Sequence, residues 1–369
     1  MFLRKLNLVN FKNYEQLDLE LSRKINCFVG DNGAGKTNLL DAIHYLSLTK
    51  SFFNAIDTQN IMHEKDFFII QGEYDRNGSK ENIYCGVSKN ARKHFKRNNK
   101  EYQKLSEHIG LIPVVMISPA DSSLILEGSD ERRKFINGVI SQYDIEYLDS
   151  LMKYNRALVQ RNILLKDFAR SGFFNKEYIE IWNAQMIPLG RLIYERRVDF
   201  AARLQPIFQD YYNTISDGQE QVELIYNSQL SEGDFQDLLE RAAEKDRILQ
   251  YTTVGIHKDD LVMNIGGYPI KRNGSQGQQK TFLVTLKFAK FDFIKQLNGF
   301  TPILLLDDIF DKFDRKRVRQ IIKLVSDQYF GQIFITDTNP ERVGHVLNDL
   351  AIDHKVFIVD KGKITQTNG

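Results

Sequence analysis

Gly30-Asp31-Asn32-Gly33-Ala34-Gly35-Lys36-Thr37 fits the pattern G-x-x-x-x-G-K-[ST], and the reading of this stretch decides the fold. An apolar run, Ile25 to Val29, precedes it. After it, Leu39, Leu40, Ile43, Leu46 and Leu48 recur on one side of a helical pattern. Strand, glycine loop and helix in that order are the context a phosphate-binding loop requires. The glycines let the backbone curl until its N–H groups and the helix N-terminus point at phosphate oxygens. The loop and the following Asn38 are therefore candidate nucleotide ligands. Lys36 is expected to reach the β- and γ-phosphates and to act in catalysis, and the Thr37 hydroxyl to coordinate Mg2+. The bland alternative, a strand-to-helix turn that matches by chance, has both flanks against it.

A second segment completes the chemistry. Ile303-Leu304-Leu305-Leu306-Asp307-Asp308 is an apolar strand ending in paired carboxylates, the form of a Walker-B segment. Asp307 is expected to hold Mg2+ through water, and Asp308 to orient or deprotonate the attacking water. Related sites usually carry Glu at the second position. Asp is one methylene shorter, so slow hydrolysis is expected rather than none.

Ser275-Gln276-Gly277-Gln278-Gln279-Lys280 precedes a helix expected over Thr281 to Phe293. A serine, a glycine and a helix N-terminus make a second anion site, with Ser275, Gly277 and Gln278 as its donors. One chain has little use for two γ-phosphate sites on one nucleotide. The economical account is that this site closes on ATP held by another copy, two ATPs being sandwiched in a head-to-tail, two-fold pair. The alternative is a capped helix after a polar turn.

The 369 residues are 42 % hydrophobic, enough for two or three domains with a sizeable core. A net charge of +2 announces no nucleic acid globally, although a balanced total can hide a basic stripe. Cys27 and Cys85 each sit in an apolar run, as buried thiols of a reduced intracellular protein do. The N-terminus lacks a secretory core, and no uninterrupted apolar stretch approaches a membrane span, so a soluble cytoplasmic protein is expected.

Residues 1–29 alternate apolar and polar and read as antiparallel strands, with Asn10-Phe11-Lys12-Asn13-Tyr14 as the turn between the first two. Phe67 to Ile70 and Ile83 to Val87 read as strands joined through Arg76-Asn77-Gly78-Ser79. Residues 111–117 form a buried-type strand ending in Ser118-Pro119-Ala120-Asp121. From 131 to 250 the pattern is helical, broken at Ser171-Gly172 and Ser216-Asp217-Gly218. Pro188 is expected to bend or begin a helix, and the arginines there to line solvated faces beside acids. Strand pattern returns at Tyr251 to Gly255, Leu261 to Ile265, Ile303 to Leu306, Ile333 to Thr336 and Val356 to Val359. The nucleotide fold thus opens at residue 1 and closes near 365, with the helical body inserted. The expected division is 1–130, a first lobe with the phosphate loop; 131–250, a helical arm; and 251–369, a second lobe.

One basic run stands out. Lys89, Arg92, Lys93, Lys96, Arg97 and Lys100 occur without an acid, interleaved with Phe95 and followed by Tyr102. Such a run can neutralise a DNA backbone. It can equally be a solvated hairpin whose cations keep a sheet edge from aggregating.

These motifs together resemble the RecF family, the recombination and gap-repair branch of the ABC-type ATPases related to SMC proteins, over essentially the whole chain. Those that carry the resemblance are Leu8 to Tyr14, the phosphate loop, Ser118 to Asp121, Gly128 with Arg132-Arg133, Gly255-Ile256-His257-Lys258-Asp259-Asp260-Leu261, Ser275 to Lys280, and Leu306-Asp307-Asp308. The resemblance implies an α/β fold: an ABC-type P-loop ATPase head, a mixed sheet with an antiparallel β subdomain, carrying an inserted α-helical domain. It also implies ATP and Mg2+ as cofactors, a homodimer formed upon ATP binding, and weak DNA-stimulated hydrolysis to ADP and phosphate. The DNA would be double-stranded, gapped or junction-containing, and RecR and RecO would be partners in loading RecA; no membrane is involved. Lys12 is implied as a nucleotide contact and Asp314 as the D-loop acid. Lys12 and Lys258 stand where the family often has Arg, replacing a fork by a point charge. Phe310-Asp311-Lys312-Phe313-Asp314 departs from the usual Ser-Glu-Leu-Asp. Thr336 or Asp337 stands where transporter ATPases place a γ-phosphate-sensing histidine. An SMC-like structural tether is disfavoured because the insertion is too short for a long coiled coil and lacks sustained heptads. A transporter ATPase subunit is disfavoured by the large helical body and the missing histidine.

Overall fold

The computed structural model describes residues 1–216, 220–309, 320–321, 324, 330–340 and 353–367. The chain divides into two compact units: Met1–Asp121, Thr214–Gly218 and Lys280–Gly369 form the first, Ser122–Asn213 and Gln219–Gln279 the second.

The first unit carries two sheets. In the antiparallel one, β1 (Phe2–Phe11), β2 (Tyr14–Glu20), β4 (Phe67–Arg76), β5 (Ser79–Ser88), β6 (His94–Arg97) and β7 (Lys100–Glu101) lie in the order β2-β1-β4-β5-β6-β7. Along β2, Leu17 and Leu19 are buried between exposed Gln16, Asp18 and Glu20, the period of two that one buried face demands, and Tyr14 is buried at the strand's start. Asn77 and Gly78, both at positive φ, turn β4 into β5, the backbone that a two-residue hairpin needs.

The mixed sheet has β3 (Ile25–Val29), β8 (Val114–Ile117), β12 (Ile303–Leu306), β13 (Ile333–Asp337), β14 (His354–Asp360) and β15 (Lys363–Thr367) in the order β15-β14-β3-β13-β12-β8. Every pair is parallel except β14 with β15. β3, β8, β12 and β13 are buried at every residue, which is why they read as mainly apolar runs, with Asn26, Thr336 and Asp337 as buried polar exceptions. Helix α1 (Lys36–Leu48) puts Leu39, Leu40, Ile43 and Leu46 into one core with residues of both sheets. Buried Gln332 stitches the unit further: its Oε1 accepts from Leu3 N at 2.7 Å, and its Nε2 donates to the Leu3 and Ser22 carbonyls, both at 2.8 Å.

The second unit holds α2 (Ser123–Leu126), α3 (Ser129–Ile140), α4 (Ile145–Ser171), α6 (Phe235–Leu249), α7 (Ile270–Asn273) and most of α5 (Lys176–Ser216). A small antiparallel sheet, β9 (Val222–Asn227), β10 (Asp260–Ile265) and β11 (Tyr268–Pro269), runs in the order β11-β10-β9. Gly172 ends α4 at φ 71°, and α5 runs for 41 residues with Pro188 and Pro206 inside it. Helix α8 (Gln276–Asn298) starts five residues earlier than the sequence pattern placed it.

Several expectations need correcting. Tyr251 to Gly255 is a loop, because the Thr252 and Thr253 amides donate to the side chains of Asn162 and Asp246, each at 2.8 Å, instead of to a ladder. Val222–Asn227 is a strand inside the stretch read as helical. Two of the arginines assigned to solvated faces are core residues, each about 1 % exposed. Arg161 holds Asp246 at 2.7 Å with Asn183 and Thr252, and Arg197 holds Asp259 at 2.7 Å.

Candidate nucleotide-binding site

The phosphate loop is braced by residues distant in sequence. A Cβ on Gly30 would lie 2.1 Å from the Val359 carbonyl oxygen, so the approach of β14 admits no side chain there. Gly35, at φ 116°, caps α1, and a side chain on it would strike Asn13. The Ala34 carbonyl accepts from Asn13 Nδ2 at 2.9 Å and from Gly362 N at 3.1 Å. Tyr14 OH donates to the Gly35 carbonyl at 3.0 Å, and Asn38 Nδ2 to Asn13 Oδ1 at 2.7 Å. The turn after β1 is thus a support for the loop, a role its composition did not reveal.

Lys36 is buried, and its Nζ donates to the carbonyls of Gly30 at 2.8 Å and Asp31 at 3.0 Å. An ammonium has three N–H groups, which leaves one for the cleft. That cleft, about 140 Å³ in volume, is lined by Asn32, Gly33, Gly35, Lys36, Thr37, Asn38 and Asp308. The phosphate loop and the second acid of the pair therefore share one space.

Four strand ends meet around Asp307. Thr37 follows β3, Thr336 lies in β13, Asp307 follows β12 and Ser118 follows β8, and these strands are neighbours in the parallel sheet. In such sheets ligands gather at the carboxyl ends. Asp307 Oδ1 accepts from Thr37 Oγ1 at 2.8 Å and Thr336 Oγ1 at 2.9 Å, and Oδ2 from Ser118 Oγ at 3.2 Å. Burial raises the Asp307 pKa above the ordinary carboxylate value and the charge of Asp308 adds to this, while the three hydroxyls pull the other way. Asp308 sits at φ 46°, a left-handed backbone, with its N–H donating to Thr336 Oγ1 at 2.9 Å. Its Oδ1 is buried without a hydrogen-bond partner among the described residues. An orphaned acceptor beside a carboxylate that resists ionisation fits a bound cation and its water. The hydroxyl and carboxylate oxygens of Thr37 and Asp307 are hard donors of the kind Mg2+ takes. Thr336, read as a stand-in for a phosphate sensor, is engaged by both acids.

A family model for the RecF/RecN/SMC N terminal domain matches residues 2–360. The chain is 51 % identical to the DNA replication and repair protein RecF of Phocaeicola vulgatus over 368 residues, 99 % of this chain and 98 % of that one. The chain belongs to the RecF family. Among solved structures, that of the recombination mediator protein RecF with ATP in the RecFOR pathway superposes with a TM-score of 0.90. It is 27 % identical and is matched over 100 % of this chain and 98 % of that one. The SMC head domain from Pyrococcus furiosus bound to the C-terminal domain of ScpA, at 16 % identity and a TM-score of 0.57 over 100 % and 96 % of the chains, shares the fold. The fold is accordingly that of an ABC-type P-loop ATPase head with an inserted helical domain.

The other RecF-family motifs take definite places. Ser275 and Gln278 form a reciprocal cap on α8: Ser275 N donates to Gln278 Oε1 at 2.7 Å, and Gln278 N to Ser275 Oγ at 3.2 Å. Gln278 Nε2 also donates to Glu220. Gly277 lies in the first turn of α8. Asp259 and Asp260 of the 255–261 motif receive arginines. Arg132 forks onto Asp260 at 2.6 and 2.9 Å, and Arg133 donates to the Asp259 carbonyl at 2.6 Å, tying α3 to β10. Lys258 is exposed over the Tyr251 ring, 4.9 Å from its centroid.

Lys12 pairs with Asp41 at 2.6 Å. The Asp41 carboxylate also accepts from Ser51 Oγ and Phe52 N, each at 2.7 Å. The arrangement pins the 51–53 segment to α1. In the basic run, Lys93 donates to Asp57 at 2.7 Å and to the Thr49 carbonyl at 2.8 Å, and Arg97 holds Glu81. Lys89 pairs with Asp66 at 3.1 Å, and Lys96 lies over the Tyr84 ring. Arg92 and Lys100 are exposed. Asp314 lies outside the described residues. Among the described residues no cluster of metal-ligating side chains of the His, Cys, Asp and Glu type occurs, and no helix is long and apolar enough to cross a membrane.

Proposed function

We propose that this chain is an ATP-dependent DNA-binding protein of recombinational gap repair and replication restart. The observation that carries the proposal is the convergence of Lys36, Thr37 and the Asp307–Asp308 pair, the first, second and fourth of them lining one cleft. It is supported by ATP in the solved structure of a RecF that is 27 % identical along the whole chain, and by the replication and repair role in the name of the 51 % identical relative.

In this reading the loop amides and Lys36 hold the phosphates, Thr37 and Asp307 hold Mg2+, and Asp308 faces the attacking water as its base. Held by Thr37 and Asp307, the metal would supply positive charge to offset that of the phosphates. Residues 1–130 and 251–369 supply the head and 131–250 the arm. Ser275, Gly277 and Gln278 complete the cage of a second copy's nucleotide, so ATP binding closes a head-to-tail dimer on gapped or junction-containing DNA. Slow, DNA-stimulated hydrolysis releases it. RecO and RecR are its partners in loading the recombinase, consistent with the RecFOR pathway named for the solved relative.

The dimer is tested at Ser275. Ser275→Arg places a long cation where the helix cap must meet phosphate. It is expected to leave ATP affinity within about twofold while abolishing ATP-induced dimerisation by light scattering. A dimer that survives in the variant contradicts the reading.

The DNA surface is tested at the cations the fold does not consume. Lys93 and Arg97 have internal work, so the informative variant is Arg92→Ala/Lys96→Ala/Lys100→Ala. If these residues meet phosphates, the slope of log affinity against log salt should flatten by about 2 to 3. An unchanged slope leaves them as a solvated sheet edge.

A further inference from the structure

Ser118-Pro119-Ala120-Asp121 has no role in the reading so far, although it follows β8, whose end faces the acid pair. Its two polar side chains, Ser118 and Asp121, are buried and connected. Ser118 Oγ accepts from Ala120 N at 3.4 Å, which directs the hydroxyl hydrogen to Asp307 Oδ2 at 3.2 Å. Ser118 N donates to Asp121 Oδ2 at 2.9 Å, and the other oxygen of that carboxylate accepts from Lys287 Nζ at 2.5 Å. Lys287 also donates to the Met116 carbonyl, inside β8, at 3.1 Å. Ser118, Asp121, Lys287 and Asp307 are between 4 and 6 % exposed.

A buried carboxylate that bridges a backbone amide and an ammonium has little freedom to turn, and neither does the serine it anchors. Lys287 lies in α8, eleven residues beyond Gln276, the first residue of that helix. This is about 16 Å along the axis and about three turns. The helix that begins at the Ser275 cap thus grips the carboxylate that the acid pair depends on.

We propose that Lys287, Asp121 and Ser118 are positioning residues through which α8 sets the orientation of Asp307, and so the affinity of the site for its metal. None of the three touches nucleotide in this scheme. A displacement of α8, such as capture of a second copy's phosphate at its N-terminus would cause, is transmitted through the Lys287–Asp121 pair to Ser118 and from there to the metal-holding carboxylate. The inference rests on the reading of Asp307 as the residue that holds Mg2+.

The test is a Mg2+ titration of ATP hydrolysis and, separately, a measurement of ATP affinity with and without Mg2+, on the full chain. Ser118→Ala and Lys287→Met are each expected to raise the Mg2+ concentration for half-maximal activity by about tenfold, with metal-free ATP affinity unchanged within about twofold. Lys287→Arg, which restores the cation, should recover most of the shift. Because the two residues act along one path, the double variant should be little worse than the worse single one. Ser118→Ala removes only a hydroxyl and remains informative if Lys287→Met fails to fold. An unmoved half-saturation in Ser118→Ala, or additive effects in the double variant, overturns the proposal. Asp307→Asn, read by whether Mg2+ still changes ATP affinity because it should not hydrolyse ATP, separates the two levels: if it abolishes that metal dependence while the Ser118 and Lys287 variants leave theirs unchanged, the positioning proposal falls and the site reading stands. If Asp307→Asn itself leaves metal dependence unchanged, both fall.

Discussion

Lys36→Ala is expected to weaken ATP binding by on the order of 100-fold, or about 2.7 kcal/mol. The magnitude follows from the type of bond lost, since an ammonium-to-phosphate contact is charge-assisted and buried, and its removal leaves phosphate charge uncompensated. The loss should be confined to the ligand. Without the lysine, the loop forfeits the bonds to the Gly30 and Asp31 carbonyls, but Asn13, Tyr14 and Gly362 still hold Ala34 and Gly35. Circular dichroism and the melting temperature should therefore move little while calorimetry shows the drop in affinity. Unchanged affinity would remove the phosphate-loop assignment and with it the dimer reading built upon it.

The site divides into a part that local sequence reveals and a part that it does not. Gly30 to Thr37 is legible because loop, strand and helix are contiguous, and the chemistry lies in one turn of backbone. Ile303 to Asp308 is legible for the same reason, an apolar strand running into two acids. What composition could not supply is the order β3-β13-β12-β8. That order alone puts Thr37, Thr336 and Ser118 around Asp307, from positions up to 270 residues away for Thr37. The same limit applies to buried ions. Arg161 and Arg197 have the helical spacing of surface residues, and only the packed helices and loops show that Asp246 and Asp259 meet them inside. In the basic run the charges were visible but their consumption was not, because Asp57, Glu81 and Asp66 come from other strands and loops. The strand β9 was hidden by its length. Six residues between a long helix and another helical pattern alternate too briefly to announce a sheet.

Asp307→Asn should abolish hydrolysis and yet make the ligand-free protein more stable. In the folded state burial raises the pKa of this carboxyl, so the folded chain binds its proton more tightly than the unfolded chain does. Stability attached to the group is therefore greatest below the unfolded value, falls as pH rises through the window between that value and the raised one, and stays low at neutral pH. Asparagine removes that penalty. Its Oδ1 can still accept from Thr37 and Thr336, and its Nδ2 can donate to Ser118 Oγ, so the loss is confined to the Ser118 hydroxyl hydrogen, whose acceptor is replaced, and to the second amide hydrogen. The expected gain at pH 7 is about 1 kcal/mol, the scale commonly released when a functional site is neutralised. The gain should shrink as pH falls into the acid range, because the native carboxyl, with its raised pKa, takes up its proton before an ordinary carboxylate does. Mg2+ with nucleotide should reverse the order of stability, since it stabilises only the chain that can hold it. Melting curves at pH 7 and near pH 4, with and without Mg2+ and ATP, supply all four values. A variant less stable than the parent at pH 7 would mean that Asp307 is a structural acceptor whose three hydroxyl bonds outweigh its burial, and not a carboxylate kept under strain for a metal.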